Sequence, residues 1–260
     1  MKTARIAWAG AIHDVTEAPG GLRLGDGRQV NEAEVVWLPP IQAGTVFAVG
    51  LNYADHAQEL AFKPQTEPLV FLKSASALAG HRACTPRPAD VKFMHYECEL
   101  AVVIGRTARN VPRAAALGCV AGYTVANDYA VRDYLENYYR PNLRVKNRDS
   151  ATLLGPWLVD AADVPDPMAL ELRTRVNGRI TQRGNTAGMI FGVAQLIEYL
   201  SSFMTLNNGD VILTGTPEGV VNVNAGDEVV TEIEGIGSLT NYIVEEPRQT
   251  AAPGETAWAS

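Results

Sequence analysis

The chain has 260 residues, of which 47% are hydrophobic and 20% charged, a balance that excludes disorder and lets the chain bury a sizeable core. Its formal net charge of −7 excludes a general electrostatic attraction to nucleic acid or acidic membranes, and no apolar run approaches the roughly 18 residues of a membrane span. Three cysteines, Cys84, Cys98 and Cys119, lack C-x-x-C spacing and imply neither a disulfide framework nor a thiolate metal site. Met1-Lys2-Thr3-Ala4-Arg5 has no signal-peptide pattern, so the expected location is cytoplasmic.

Residues 3–37 alternate in short bursts between Gly-rich turns, and Pro39-Pro40 ends them, which predicts a small β-rich unit over residues 1–42. A main domain is expected over residues 43–248 and a mobile tail over 249–260. Strands are predicted at 45–50, 69–73, 98–104 and 120–126, with helical composition at 53–60 and 114–117. Val131, Leu135 and Tyr138 share a helical face, so a helix is predicted from Asp128 to Tyr139 and stopped by Pro141. Asn177-Gly178 between alternating runs predicts a hairpin over 170–182. Val193, Leu196, Ile197 and Leu200 have helical spacing, with Asn208-Gly209-Asp210 as the stop. A buried strand at 211–215 and a strand pair, 228–233 with 238–244, complete the chain. Many strands, few helices and no regular βα alternation place the chain in the α+β class, built on a large mixed or antiparallel sheet.

The chemistry-bearing pattern is His95-Tyr96-Glu97-Cys98-Glu99 running into Leu100-Ala101-Val102-Val103-Ile104. Alternate side chains of a strand share a face, so Glu97 and Glu99 project together, roughly 6–7 Å apart at the backbone, while Cys98 packs on the other side. In an apolar setting such a pair resists ionising unless a cation joins it. With Asp128 as a third carboxylate and no His or Cys ligand, the set suits Mg²⁺ or Mn²⁺ rather than Zn²⁺. The alternative is an exposed strand edge on which both glutamates face water.

Three further segments carry polar chemistry. His56 and Glu59 stand at i, i+3 after the Gly50-Leu51-Asn52-Tyr53 break, so on a helix the carboxylate can orient the imidazole; an incidental surface pair is the alternative. Arg140, Arg144, Lys146 and Arg148 form a basic stretch that is either a solvated loop or, through Lys146 and Arg132, a cradle for a small polycarboxylate. Thr214-Gly215-Thr216-Pro217-Glu218-Gly219 follows a buried strand and either lets backbone and a hydroxyl approach a ligand or simply turns the chain. No phosphate-binding glycine loop and no G-x-S-x-G elbow occurs.

Taken in order, Gly50-Leu51-Asn52-Tyr53, His56 with Glu59, Glu97-Cys98-Glu99, Asp128, Lys146, Gly188-Met189-Ile190-Phe191 and Leu213-Thr214-Gly215-Thr216-Pro217 resemble the fumarylacetoacetate hydrolase superfamily over roughly 45 to 245. Met94-His95-Tyr96-Glu97, the run from Asn127 to Lys146 and Phe203-Met204-Thr205-Leu206 are similar to its isomerase/decarboxylase branch of homoprotocatechuate (4-hydroxyphenylacetate) degradation. The resemblance implies a mixed β-sheet roll of the family's C-terminal type. It implies a divalent ion, Mg²⁺ first and Mn²⁺ second, on Glu97, Glu99 and Asp128. His56 and Glu59 become a proton-transfer pair on a closing segment, Lys146 a charge stabiliser that with Arg132 meets the substrate, and Thr216 a carboxylate binder. Beyond the resemblance, the distal carboxylate of a long substrate needs a cation of its own, which assigns Arg132 and the basic stretch with Arg140 and Arg144 to the substrate grip. The implied substrate is a 2-oxo di- or tricarboxylate, handled by decarboxylation, by a 1,3-allylic proton shift, or both, in a homodimer or with a related second subunit. One departure concerns substrate length: relatives acting on small substrates carry an amide one turn past the Arg132 position, where this chain has Leu135. Hydrolysis of an acylpyruvate C–C bond is the second enzymatic reading. An anion-binding protein with structural carboxylates is the third.

Overall fold

A computed structural model of the chain describes residues 1–54, 66–135 and 143–247. His56, Glu59 and Arg140 lie outside them, as does the C-terminal stretch expected to be a tail. The described residues form a mixed 12-stranded sheet, a 5-stranded sheet and a two-stranded ribbon. The large sheet runs Lys2–Trp8, Thr152–Asp160, Val120–Asp128, Cys98–Ile104, Val211–Leu213, Val46–Gly50, Leu69–Lys73 through its functional half. Val46–Gly50 lies parallel to Val211–Leu213; Val46–Gly50 with Leu69–Lys73 and Val211–Leu213 with Cys98–Ile104 are antiparallel.

Strand period two divides Cys98–Ile104 between two cores. Cys98, Leu100, Val102 and Ile104 enter the main cluster, together with Leu172, Val229, Ile233, Leu239 and Ile243 of the 5-stranded sheet. Leu196, Ile197 and Leu200 of the helix Val193–Phe203 seal the same cluster, as their spacing predicted. Ala101 and Val103 face the other way, into a smaller cluster with Val46, Ala48, Ala126, Leu154, Val211 and Leu213. It is this second face that carries Glu99 and Asp128, two residues before Ala101 and two after Ala126.

The N-terminal strands have a cluster of their own, Ala4, Ile6, Val15, Leu22, Leu24, Val30 and Trp37. Lys2 pairs with Val159, so these strands extend the large sheet, and Trp157 packs on both clusters. His81 joins this region to the 5-stranded sheet. Its Nδ1 accepts the Thr240 backbone N–H at 3.1 Å, and its ring meets Trp37 edge-on at 5.2 Å. Burial, with Arg82 adding to it, pushes the His81 pKa down from 6.5 to about 4. The unfolded chain therefore takes up a proton near pH 6.5 that the folded chain refuses until about pH 4, and stability falls as the pH drops through that window. Between pH 7 and pH 5 the expected loss from this group is roughly 2 kcal/mol. His81→Asn keeps an acceptor for Thr240 and should flatten that part of the pH dependence in urea titrations. Parallel curves for the two proteins would exclude His81 as the cause.

Two elements differ from the sequence expectation. Asp128 does not begin a helix; it ends the strand Val120–Asp128, and Ala130–Val131 pairs with Met94–His95. The backbone N–H groups of Asp128 and Tyr129 donate to Glu97 and Ala151 across the chain, and that of Arg132, which a helix would turn to the Asp128 carbonyl, donates to Phe93 instead. Among the described residues of the expected helix there is one 3-10 turn, Arg132–Tyr134, held by Asp133 accepting from the N–H groups of Lys92 and Phe93; 136–139 lie outside them. The helix Val193–Phe203 stops five residues short of Asn208, because Met204 is already extended at φ −136°. The hairpin forms as expected, Glu171–Val176 with Arg179–Asn185 around Asn177 and Gly178, both at positive φ.

Candidate active site

Glu97 sits one residue before its strand, and the Asp128 N–H donates to the Glu97 carbonyl at 2.9 Å, so the two residues face each other at the sheet end. Glu99 lies next along the same face. Ligand oxygens from Glu97, Glu99 and Asp128 all fall within 4.8 Å of one another, and all three residues are buried. The exposed-edge alternative for the two glutamates is therefore excluded.

Among the described residues, three cations bond the carboxylates. Lys146 Nζ donates to Glu97 Oε2 and, at 2.8 Å, to Asp128 Oδ2. Arg132 Nη2 donates to Glu97 Oε1 at 2.6 Å. Lys73 Nζ donates to Asp128 Oδ1 at 2.6 Å and to the Lys146 carbonyl, and Thr152 Oγ1 adds a bond of 3.1 Å to the same carboxylate oxygen. The sequence reading places Lys73 on a strand but not in the site. The signal available was a lysine closing an apolar strand, Leu69-Val70-Phe71-Leu72-Lys73; here it is only 6% exposed. A buried lysine needs a partner.

The electrostatics divide the triad. Burial works to raise the Glu97 carboxyl, but Lys146 and Arg132 hold it below the usual range. Burial likewise opposes ionisation of Asp128, and Lys146 and Lys73 again win. Lys146, 5% exposed, is disfavoured as a cation by burial, yet Asp128 and Glu97 raise its pKa. Burial lowers that of Lys73, with Asp128 opposing and Lys146 adding to the fall. Glu99 stands apart. Burial, Asp128 and Glu97 push it well above its usual value, and among the described residues its one hydrogen bond comes from the Gly215 N–H, at 2.6 Å. A buried carboxylate with no cation of its own, beside two others, is what a divalent oxygen-ligated ion would complete.

Gly215 is placed for that bond by its φ of +87°, and a Cβ there would lie 3.0 Å from Asn52 Cβ. Asn52 donates to the carbonyls of Thr214 and Phe191 and accepts the Phe191 N–H, tying the Gly50-Leu51-Asn52-Tyr53 segment to the site wall. Thr216 follows Gly215 in the chain and is buried. The basic stretch is split by one helical turn, Leu143–Lys146. It drives Lys146 inward and leaves Arg144 exposed, its guanidinium 3.7 Å from the Tyr134 ring centroid. Arg144 makes no bond to the three carboxylates, and Arg148 pairs with Glu246. The structure thus gathers Glu97, Glu99, Asp128, Lys146 and Arg132, sets Thr216 next to Gly215, and leaves Arg144 at the surface.

Comparison with known proteins places the chain among relatives. A family model described as fumarylacetoacetate (FAA) hydrolase C-terminal matches residues 45–244. The 4-hydroxyphenylacetate degradation bifunctional isomerase/decarboxylase of Salmonella dublin is 61% identical over 208 residues, covering 80% of this chain and 48% of the relative. The chain thus spans about half the length of the bifunctional relatives it matches. The 5-carboxymethyl-2-hydroxymuconate delta-isomerase of Mycobacterium smegmatis superposes with a TM-score of 0.84 at 40% identity, over 95% of this chain and 100% of that one. The fumarylpyruvate hydrolase of Pseudomonas aeruginosa, solved with Mn²⁺ and pyruvate, gives 0.73 at 34% identity, over 79% and 91%.

Proposed function

Because the chain belongs to the fumarylacetoacetate (FAA) hydrolase C-terminal family, we propose that it is a divalent-metal-dependent enzyme of 2-oxo dicarboxylates. Its reaction is decarboxylation of 5-carboxymethyl-2-oxo-hex-3-ene-1,7-dioate, isomerisation of 2-hydroxyhepta-2,4-diene-1,7-dioate, or both. The observation that carries this reading is that Glu99, within a three-carboxylate, three-cation cluster, has no ion pair of its own among the described residues. Formal charges of Glu97, Glu99 and Asp128 against Lys73, Lys146 and Arg132 sum to zero, so a divalent ion would leave the site positive for an anionic substrate. Bound there, Mg²⁺ or Mn²⁺ would supply a Lewis acid for the 2-oxo acid end.

The chain's own groups do the rest. Lys146 and Lys73 provide fixed positive charge in a buried setting, where it stabilises negative charge that develops on the substrate. Thr216 offers a hydroxyl to a carboxylate. His56, oriented by Glu59, is assigned the proton transfer at carbon on the strength of their i, i+3 spacing. His56→Ala should lower kcat by a factor on the order of 10²–10⁴ with the melting temperature unchanged; wild-type turnover would remove the assignment.

Arg132 is the group best placed for a distal carboxylate, being paired to Glu97 yet partly open to solvent. Arg132→Ala should lower kcat/KM for a seven-carbon dioate by at least about tenfold, the cost of a charged contact. Arg144→Ala, a surface change, should alter it by less than about twofold. Equal losses in the two variants would restore Arg144 to the substrate grip.

Purified protein with Mg²⁺ and a panel of 2-oxo dicarboxylates, read by CO₂ release and ultraviolet absorbance, tests the function. Release of pyruvate instead would favour C–C hydrolysis, a reading supported by the fold shared with the fumarylpyruvate hydrolase. Ligand binding indifferent to chelation would return the carboxylates to a structural role.

A further inference from the structure

The carboxamide of Gln182 lies at the joint between the hairpin strand Arg179–Asn185 and the loop after Val211–Leu213. Its Nε2 donates to the Pro217 carbonyl at 2.8 Å and to Thr216 Oγ1 at 2.9 Å, and its Oε1 accepts from the Thr174 hydroxyl at 3.0 Å. The carbonyl of Pro217 can only accept, so the amide nitrogen must face this loop, and its orientation is not open to a flip. One amide hydrogen serves Pro217 and the other serves Thr216. Thr216 Oγ1 is thereby committed as an acceptor, and its own hydrogen must point elsewhere. Gln182 is 2% exposed and Thr216 4%, and among the described residues no acceptor takes the Thr216 hydroxyl hydrogen. A buried donor without an acceptor is costly, and this one stands one residue from Gly215, whose N–H holds Glu99.

We propose that Gln182 is a positioning residue for anion binding: by donating into Thr216 Oγ1 it fixes that hydroxyl as a donor to a substrate carboxylate. The inference rests on the assignment of Thr216 as a carboxylate binder and extends it to a residue that touches no substrate. The scaffold around the pair is tight. A Cβ on Gly184 would fall 2.6 Å from Pro217 Cγ, so the loop and hairpin are held in one register and the amide cannot drift from the hydroxyl.

The test is calorimetric binding of oxalate, the smallest dianion with the adjacent oxygens of a 2-oxo acid, to the Mg²⁺-loaded full chain. Gln182→Met and Thr216→Val should each weaken oxalate roughly tenfold, the loss of one hydrogen bond to a charged group. The double variant should be no weaker than Thr216→Val alone, and Thr216→Ser should bind like wild type. With substrate, KM should rise in Gln182→Met more than kcat falls, which general loosening would not produce. Should Gln182→Met not fold, Thr174→Val removes the hydroxyl that holds Oε1, and a several-fold weakening is expected from it. Wild-type affinity in Gln182→Met (or in Thr174→Val in its place), or losses that multiply in the double variant, would overturn the proposal. Failure of the wild-type protein to bind oxalate with Mg²⁺ would instead overturn the reading of the site on which it stands, and the proposal with it.

Discussion

Glu99→Gln is expected to abolish Mg²⁺-dependent turnover while leaving the apoprotein at least as stable as wild type. Most changes to a buried site lose both properties together, so the opposite signs are diagnostic. Glu99 has no ion-pair partner among the described residues, and burial and two neighbouring carboxylates oppose its charge. An amide of the same shape removes that repulsion and can still accept the Gly215 N–H through its own carbonyl. No cation loses a partner, and no cavity opens. The metal, however, loses one of its three proposed oxygen anions. Losing Lewis-acid stabilisation worth several kcal/mol corresponds to a fall in kcat on the order of 10³. Melting curves in EDTA and in Mg²⁺ give the second readout: wild type should gain stability from the ion by linkage, and the variant should not. A variant that keeps both its turnover and its Mg²⁺-dependent melting shift would remove Glu99 from the metal site.

Lys146→Met should produce the reverse pattern in the apoprotein. Lys146 bridges Glu97 and Asp128 from a buried position, and removing one partner of a buried ion pair costs roughly 3–5 kcal/mol. The lower end, about 3 kcal/mol, is expected because Arg132 stays on Glu97 and Lys73 on Asp128. Against a total stability of about 5–15 kcal/mol this is a large loss. Mg²⁺ should restore much of it, because the ion supplies the counter-charge that the lysine gave, whereas turnover should stay low. Urea titrations with and without Mg²⁺ separate the two effects. Equal apoprotein stability in variant and wild type would mean that the three-cation arrangement does not hold the carboxylates in solution.

These two residues also mark where sequence reasoning succeeds and where it stops. Strand period two alone put Glu97 and Glu99 on one face and Cys98 on the other, and the structure keeps that division through Ala101 and Val103 against Leu100 and Val102. The same local rules gave the Asn177-Gly178 hairpin and the apolar face of the helix Val193–Phe203, because turn geometry and side-chain periodicity are properties of neighbouring residues. Asp128 shows the limit. Val131, Leu135 and Tyr138 repeat at helical spacing, yet the backbone there is drawn into bonds with Glu97, Ala151 and Phe93, and pairing with distant strands overrides a local pattern. Lys73 shows it more sharply. It reaches Asp128 only because Leu69–Lys73 sits at the edge of the large sheet in a register that pairs Lys73 with Val46. No period within the chain encodes such a meeting. The sequence determined which faces would be apolar and which carboxylates would share one; the tertiary structure decided which cations neutralise them and, among the described residues, left Glu99 without one, because electrostatic partners in a sheet are set by register between distant strands.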